Sequence, residues 1–304
     1  MKVLLKNIEK NTRIPILSGF YVKDGRAMST DCDIDVFTAC PLDNGVYMPQ
    51  LYKAGIAAPN TDLLLSDAPN PQEFNAAPIL AQFDGITLES LEFISRAMSK
   101  EETRYYLNGV FFGRDHIVAT DGHRMHGVTT RGAIFANDDL RGFILPAKAV
   151  KLAIDAMKEC KLKSFSISFT ELKARFIIGH YEFVSKLIDG TFPDYKRVIP
   201  ENAPQGSIDY VHFSADKMKA ESKKLLAAAD KRARIARFED GKVTCGVYSC
   251  DSGFVPPFPM AFNLSYFLDA MIDGAAMHFK FFDSPVKFVK DDYFSVIMPL
   301  RLPK

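Results

Sequence analysis

The sequence predicts an α+β chain of three repeated units, with helices on one face of antiparallel sheets. Three observations carry that reading. A short apolar strand, a punctuating residue and an amphipathic helix succeed one another at 46–53, 143–154 and 260–271. Two alternating strands around a polar turn follow the second and third of these helices, at 175–187 and 287–299. A further helix opens each later unit, at 88–99 and at 214–229.

Each element has a local cause. Pro49 and Pro146 suit a first helical turn, where a missing N–H costs nothing, and Asn263 suits an N-cap. Gly179-His180 and Asp291-Asp292 supply the two hairpin turns. The opening helices carry apolar stripes, Leu91, Ile94 and Met98 in one and Met218, Leu225 and Leu226 in the other. Turn formers cluster at Phe83-Asp84-Gly85 and across 200–206, so the units are expected at 1–84, 85–202 and 203–304.

Size and composition agree with several domains. A chain of 304 residues, 47% hydrophobic, can fill two or three cores. A net charge of +1 announces no nucleic-acid partner for the chain as a whole, so any basic surface must be local. Five cysteines, at 32, 40, 160, 245 and 250, form no C-x-x-C pair and read as free thiols in a reducing cytoplasm. The first ten residues lack the apolar core of a secretory signal, and no uninterrupted apolar run is long enough to span a membrane. A cytoplasmic protein without a membrane partner is expected.

Three segments of the middle unit are more specific. Arg104-Tyr-Tyr-Leu-Asn-Gly109, Ala119-Thr-Asp-Gly-His-Arg124 and the stretch from Ser185 to Pro200, with Asp189-Gly-Thr-Phe-Pro-Asp-Tyr-Lys-Arg197 at its centre, resemble signature segments of the bacterial DNA polymerase III beta subunit, the beta sliding clamp, in order and spacing. Phe262-Asn-Leu-Ser-Tyr-Phe-Leu-Asp-Ala270 and Val296-Ile-Met-Pro-Leu-Arg-Leu302 are similar to that family's last helix and last strand. In the first unit the match is confined to 13–19 and 30–35, and the unit looks shortened, without most of the usual opening helix.

The resemblance implies a clamp fold of three similar domains, closing into a homodimeric ring that encircles double-stranded DNA without sequence specificity. It implies no catalytic residue, no cofactor and no metal. A second surface is implied for short linear peptides of DNA polymerase, clamp loader and other partners. That groove maps to Leu107, Thr120, Gly122, His123, Arg124, Met125, Pro193, Arg197, Val198, Val296, Met298, Pro299, Leu300 and Arg301. Its apolar members suit Leu and Phe anchors, its arginines suit polar flanks, and methionine suits a surface shared by many ligands.

The DNA-facing set maps to Arg13, Tyr105 and Tyr106, with Lys148, Lys151, Lys217 and Lys224 as candidate channel lysines. Tyr105 and Tyr106 read equally well as core-edge aromatics of a strand. A basic helix reads equally well as a solvated surface. Four features depart from the family pattern: the shortened first unit, the acid Glu101, the pair Met125-His126 and the extension Pro303-Lys304.

Two other readings use the same residues. His116, Asp121, His123 and His126 are of metal-ligating type, as in a metal-dependent hydrolase, yet the H-x-x-H spacing lacks the glutamate of H-E-x-x-H. A shortened first unit unable to close a ring would leave a monomeric or open clamp-like interaction module with little DNA role.

Overall fold

The computed structural model describes residues 1–8, 12–75, 77–200, 225, 234–246, 248–251, 258–272, 274–278, 281 and 283–301. The chain begins with helix α1 (Lys2–Asn7) and strands β1 (Phe20–Lys23), β2 (Arg26–Thr30), β3 (Ile34–Ala39) and β4 (Gly45–Tyr47). Helix α2 (Pro49–Lys53), strand β5 (Ala81–Thr87) and helix α3 (Leu88–Ser95) follow. Strands β6 (Gly109–Gly113), β7 (His116–Thr120), β8 (Arg124–Thr129), β9 (Ile134–Phe135) and β10 (Gly142–Pro146) lead into helix α4 (Ala147–Cys160). Next come β11 (Ser164–Phe169), β12 (Lys173–Ile178) and β13 (Tyr181–Lys186). The last described elements are β14 (Ile235–Glu239), β15 (Lys242–Cys245), β16 (Tyr248–Asp251), β17 (Met260–Asn263), α5 (Leu264–Ala270), β18 (Ala276–His278), β19 (Val286–Lys290) and β20 (Tyr293–Ile297).

All three expected strand–helix pairs form, as β4–α2, β10–α4 and β17–α5. Both expected hairpins form as well. Strands β12 and β13 pair around Gly179-His180, and β19 and β20 around Asp291-Asp292, where Asp291 takes a left-handed φ of 52°. Asn263 caps α5 as expected, its side chain accepting from the backbone N–H groups of Ser265 and Tyr266. Pro49 sits in the first turn of α2, whereas Pro146 is still in strand, paired with Gly109, and only caps α4. Its ring fixes φ but cannot choose between the last strand residue and the first helical one. The helix expected at 88–99 stops at Ser95. Lys217, Lys224 and nearly all of the helix expected at 214–229 lie outside the described residues.

Contacts divide the chain into two compact units. The first comprises Met1–Glu92, Gly109–Asp115 and Thr130–Gly190. It holds a nine-stranded sheet in the order β4-β1-β2-β3-β13-β12-β11-β5-β9. The pairings of this sheet are antiparallel throughout. Phenylalanines 83, 112, 135, 143 and 169 form one aromatic cluster with ring centroids 5.0–5.6 Å apart. Helix α4 buries Ala149, Val150, Leu152, Ala153, Ala156 and Met157 on one side, the repeat its sequence spacing dictates. It ends at Lys161, which adopts φ 55° and returns its N–H to carbonyls of the last turn.

The second unit comprises Phe93–Asn108, His116–Thr129 and Thr191–Lys304. Within it β7, β8, β20, β19 and β18 lie side by side, and a separate sheet runs β16-β15-β14-β17. Its core is built on Phe238, Phe262, Phe267 and Phe288, each fully buried and each worth up to about 3 kcal/mol of transfer free energy.

Candidate functional site

The turn between β7 and β8 organises the candidate site. The Thr120 hydroxyl donates to the Arg124 carbonyl at 2.7 Å and accepts from the Gly122 N–H at 3.1 Å. Asp121 Oδ1 accepts from the N–H groups of His123 and Arg124, both at 3.0 Å. This turn needs glycine at 122, where φ is +89° and an added Cβ would sit 2.6 Å from Arg104 Nη1. Pairing of β8 with β20 then sets Met125 beside Val296, and the Met298 N–H donates to the His123 carbonyl at 3.0 Å.

These elements enclose a cavity of about 300 Å³. Ten residues of the expected groove line it: Leu107, Thr120, Gly122, His123, Arg124, Met125, Pro193, Val198, Val296 and Met298. Arg197, Pro299, Leu300 and Arg301 are not among its lining residues. Arg197 points to solvent and pairs with Asp194 at 2.9 Å. The Leu300 N–H donates to the Ala261 carbonyl at 2.7 Å. Arg104, Tyr106, Asp194 and Tyr195 line the cavity without having been singled out for it. All four lie inside the signature segments, so the signal was present, but only the folded turn shows which side chains face inward.

The charge of Arg124 is not offered outward. Its side chain is 11% exposed, its Nε bonds Asp121 Oδ2 at 3.0 Å and its Nη1 bonds Asp269 at 2.5 Å. The guanidinium lies 4.3 Å from the Tyr266 ring centroid, and the His123 ring stacks on the same tyrosine. Burial, followed by the charge of Asp121, raises the Tyr266 hydroxyl above its ordinary pKa. Arg104 is likewise paired, with Glu101 at 2.7 Å. The cavity therefore presents apolar and aromatic surface, with its two lining arginines already neutralised.

The residues expected at DNA fare differently. Tyr105 and Tyr106 belong to a 3₁₀ turn, Glu102–Leu107, rather than a strand. Tyr105 is 54% exposed, while Tyr106 lines the cavity and meets Tyr105 edge-on. Arg13 and Lys151 are exposed. Lys148 is ion-paired with Asp31 and donates to the Asn7 carbonyl.

The four metal-type side chains are engaged separately. His116 Nδ1 lies 3.2 Å from the Tyr195 hydroxyl, Asp121 caps its turn, and His123 stacks on Tyr266. His126 is fully buried and its Nδ1–H donates to the Phe93 carbonyl at 2.8 Å. Among the described residues no three His, Cys, Asp or Glu side chains converge as a metal site would require. No described helix is long and apolar enough to cross a membrane.

Comparison with known proteins places this geometry. The family profile of the DNA polymerase III beta subunit central domain matches residues 87–194. A beta sliding clamp of Caulobacter vibrioides is 33% identical over 236 residues, which covers 68% of this chain and 61% of the relative. One from Vibrio cholerae is 32% identical over 142 residues, covering 45% and 38%. The chain thus matches less than two thirds of the length of these curated relatives. In three dimensions the likeness extends further. A sliding clamp from Bartonella birtlesii, bound to griselimycin, superposes with a TM-score of 0.80 at 24% identity, covering 99% of this chain and 96% of that one. The DNA polymerase III beta subunit of Pseudomonas aeruginosa gives 0.77 at 20% identity with the same coverage. Residues 87–194 match the central domain of the DNA polymerase III beta subunit, and the chain resembles the beta sliding clamps in sequence and shares their fold.

Proposed function

We propose that this protein is a DNA sliding clamp, a non-catalytic cytoplasmic processivity factor of three clamp-type domains at 1–84, 85–202 and 203–304. Two copies close into a ring around duplex DNA. Short linear peptides of DNA polymerase and clamp loader dock in the cavity of the second unit. Enclosure makes dissociation depend on ring opening, while screened attraction to phosphates leaves the ring free to slide. Base-edge readers would trap it at particular sequences and are not needed.

The observation that carries the reading is the cavity itself. Residues nominated from four separated stretches of sequence line one apolar depression of about 300 Å³, within the range of pockets that seat small apolar anchors. Met125 and Met298 give it the adaptability that several different peptides demand. Mass in solution, together with retention on circular and linearised duplex, tests the proposal. A ring has twice the chain mass, stays on circles and runs off free ends. Equal retention on both forms defeats enclosure.

A second reading, an open clamp-like module that offers only the peptide cavity, draws support from Lys148, whose charge is spent on Asp31. It predicts a monomer with peptide affinity and no topological hold on DNA.

A further inference from the structure

The outward face of α4 is nearly neutral. Lys148, Lys151, Asp155 and Lys158 recur every three or four residues, opposite the buried stripe, so helix geometry sets all four on one side. Lys148 meets Asp31, Lys158 meets Glu92 at 2.5 Å, and Asp155 meets Lys6 of α1 at 2.6 Å. Lys151 is exposed, and among the described residues no acid pairs with it.

Asp31 does not depend on Lys148 for its position. Its Oδ1 accepts from the N–H groups of Asp33 and Ile34 at 3.0 and 2.7 Å, and its side chain is only 11% exposed. When Lys148 swings toward another anion, the carboxylate therefore stays behind. A lysine that leaves a fixed carboxylate for a phosphate uncovers one negative charge as it covers another. The cation released from DNA is taken up at the protein, and no net counterion release drives binding.

Resting on the sliding-clamp reading, we infer that α4 attracts duplex DNA through Lys151 alone. Asp31 and Glu92 act as built-in phosphate mimics that silence Lys148 and Lys158. This arc of the protein is tuned for weak, mobile contact rather than for grip.

The test is the salt dependence of association between the full chain and nicked circular duplex. Lys151→Ala lowers the slope of log K against log salt by about 0.9, the value of one phosphate contact. Lys148→Ala changes it by less than a third of that amount. Asp31→Asn keeps the oxygen that accepts from the backbone, frees Lys148 and raises the slope by about 0.9. Glu92→Gln repeats the test at Lys158, away from that turn, should the first variant disturb folding. Equal losses from Lys148→Ala and Lys151→Ala, with wild-type binding intact, overturn the inference and leave the clamp reading standing. So does a slope unmoved by both Asp31→Asn and Glu92→Gln. Wild-type protein without any salt-dependent association overturns both.

Discussion

The guanidinium of Arg124 lies 4.3 Å from the ring centroid of Tyr266, clamped at its edges by Asp121 and Asp269. This arrangement joins the β7–β8 turn to helix α5 and makes the cavity wall one bonded piece. Arg124→Ala would leave two carboxylates facing each other over an emptied space. Stability should fall by about 3 kcal/mol, the scale for removing one partner of a largely buried pair. Asp269→Asn, at the more exposed end, should cost less than half as much. Denaturant unfolding of both variants checks the order. Equal costs would mean that the network is not centred on Arg124.

Gly122→Ala tests the turn by geometry. A side chain there meets both the penalty for φ +89° and a contact 2.6 Å from Arg104 Nη1. The backbone term alone is about 1–2 kcal/mol. The Arg104 guanidinium, paired with Glu101, must shift to make room, which disturbs the cavity rim. Unfolding should shift by that amount, and affinity for a clamp-binding peptide should drop about tenfold or more. Unchanged peptide affinity in a destabilised protein would separate the turn from binding.

Local chemistry made much of this fold legible, and long-range placement hid the rest. Asn263 could be read as a cap because its partners are two and three residues away. The 175–187 and 287–299 hairpins could be read because their partner strands adjoin. Arg124 was visible as a groove residue, but its neutralisation by Asp269, distant in sequence, was not. The pairing of Lys148 was hidden for the same reason, since Asp31 is far away along the chain. Tyr106 was assigned to DNA by the family resemblance, with a core-edge position in a strand as the alternative. The 3₁₀ turn there rotates it into the cavity.

The cavity's apolar character gives a third prediction. Met298 is 45% exposed at the mouth, so Met298→Glu should leave folding nearly unchanged. A carboxylate there must be desolvated when an apolar anchor enters, and the paired Arg104 and Arg124 are poorly placed to compensate it. Peptide binding, measured by fluorescence anisotropy, should weaken about tenfold or more, with circular-DNA retention unchanged. Parallel loss of both would place Met298 in the ring rather than in the docking site.

His126 sets the acid limit of the second unit. Its ring stacks on Phe93, its Nδ1–H donates to the Phe93 carbonyl, and its buried Nε2 has no hydrogen-bond partner. Burial, with smaller effects from Arg124 and Arg96, holds its pKa down to about 3 against an ordinary 6.5, although the Phe93 hydrogen bond opposes the shift. The unfolded chain therefore takes up a proton that the folded chain refuses across that interval. The contribution of His126 is complete above pH 6.5 and is lost progressively as pH falls toward 3, at up to about 1.4 kcal/mol per pH unit. His126→Leu keeps an apolar body but removes the titration. The variant forfeits the Phe93 hydrogen bond, about 1 kcal/mol at neutral pH. Between pH 6.5 and 4 its stability should decline less steeply than that of the wild type. Parallel stability curves for the two proteins over that range would show that the folded imidazole takes up its proton as readily as the unfolded one.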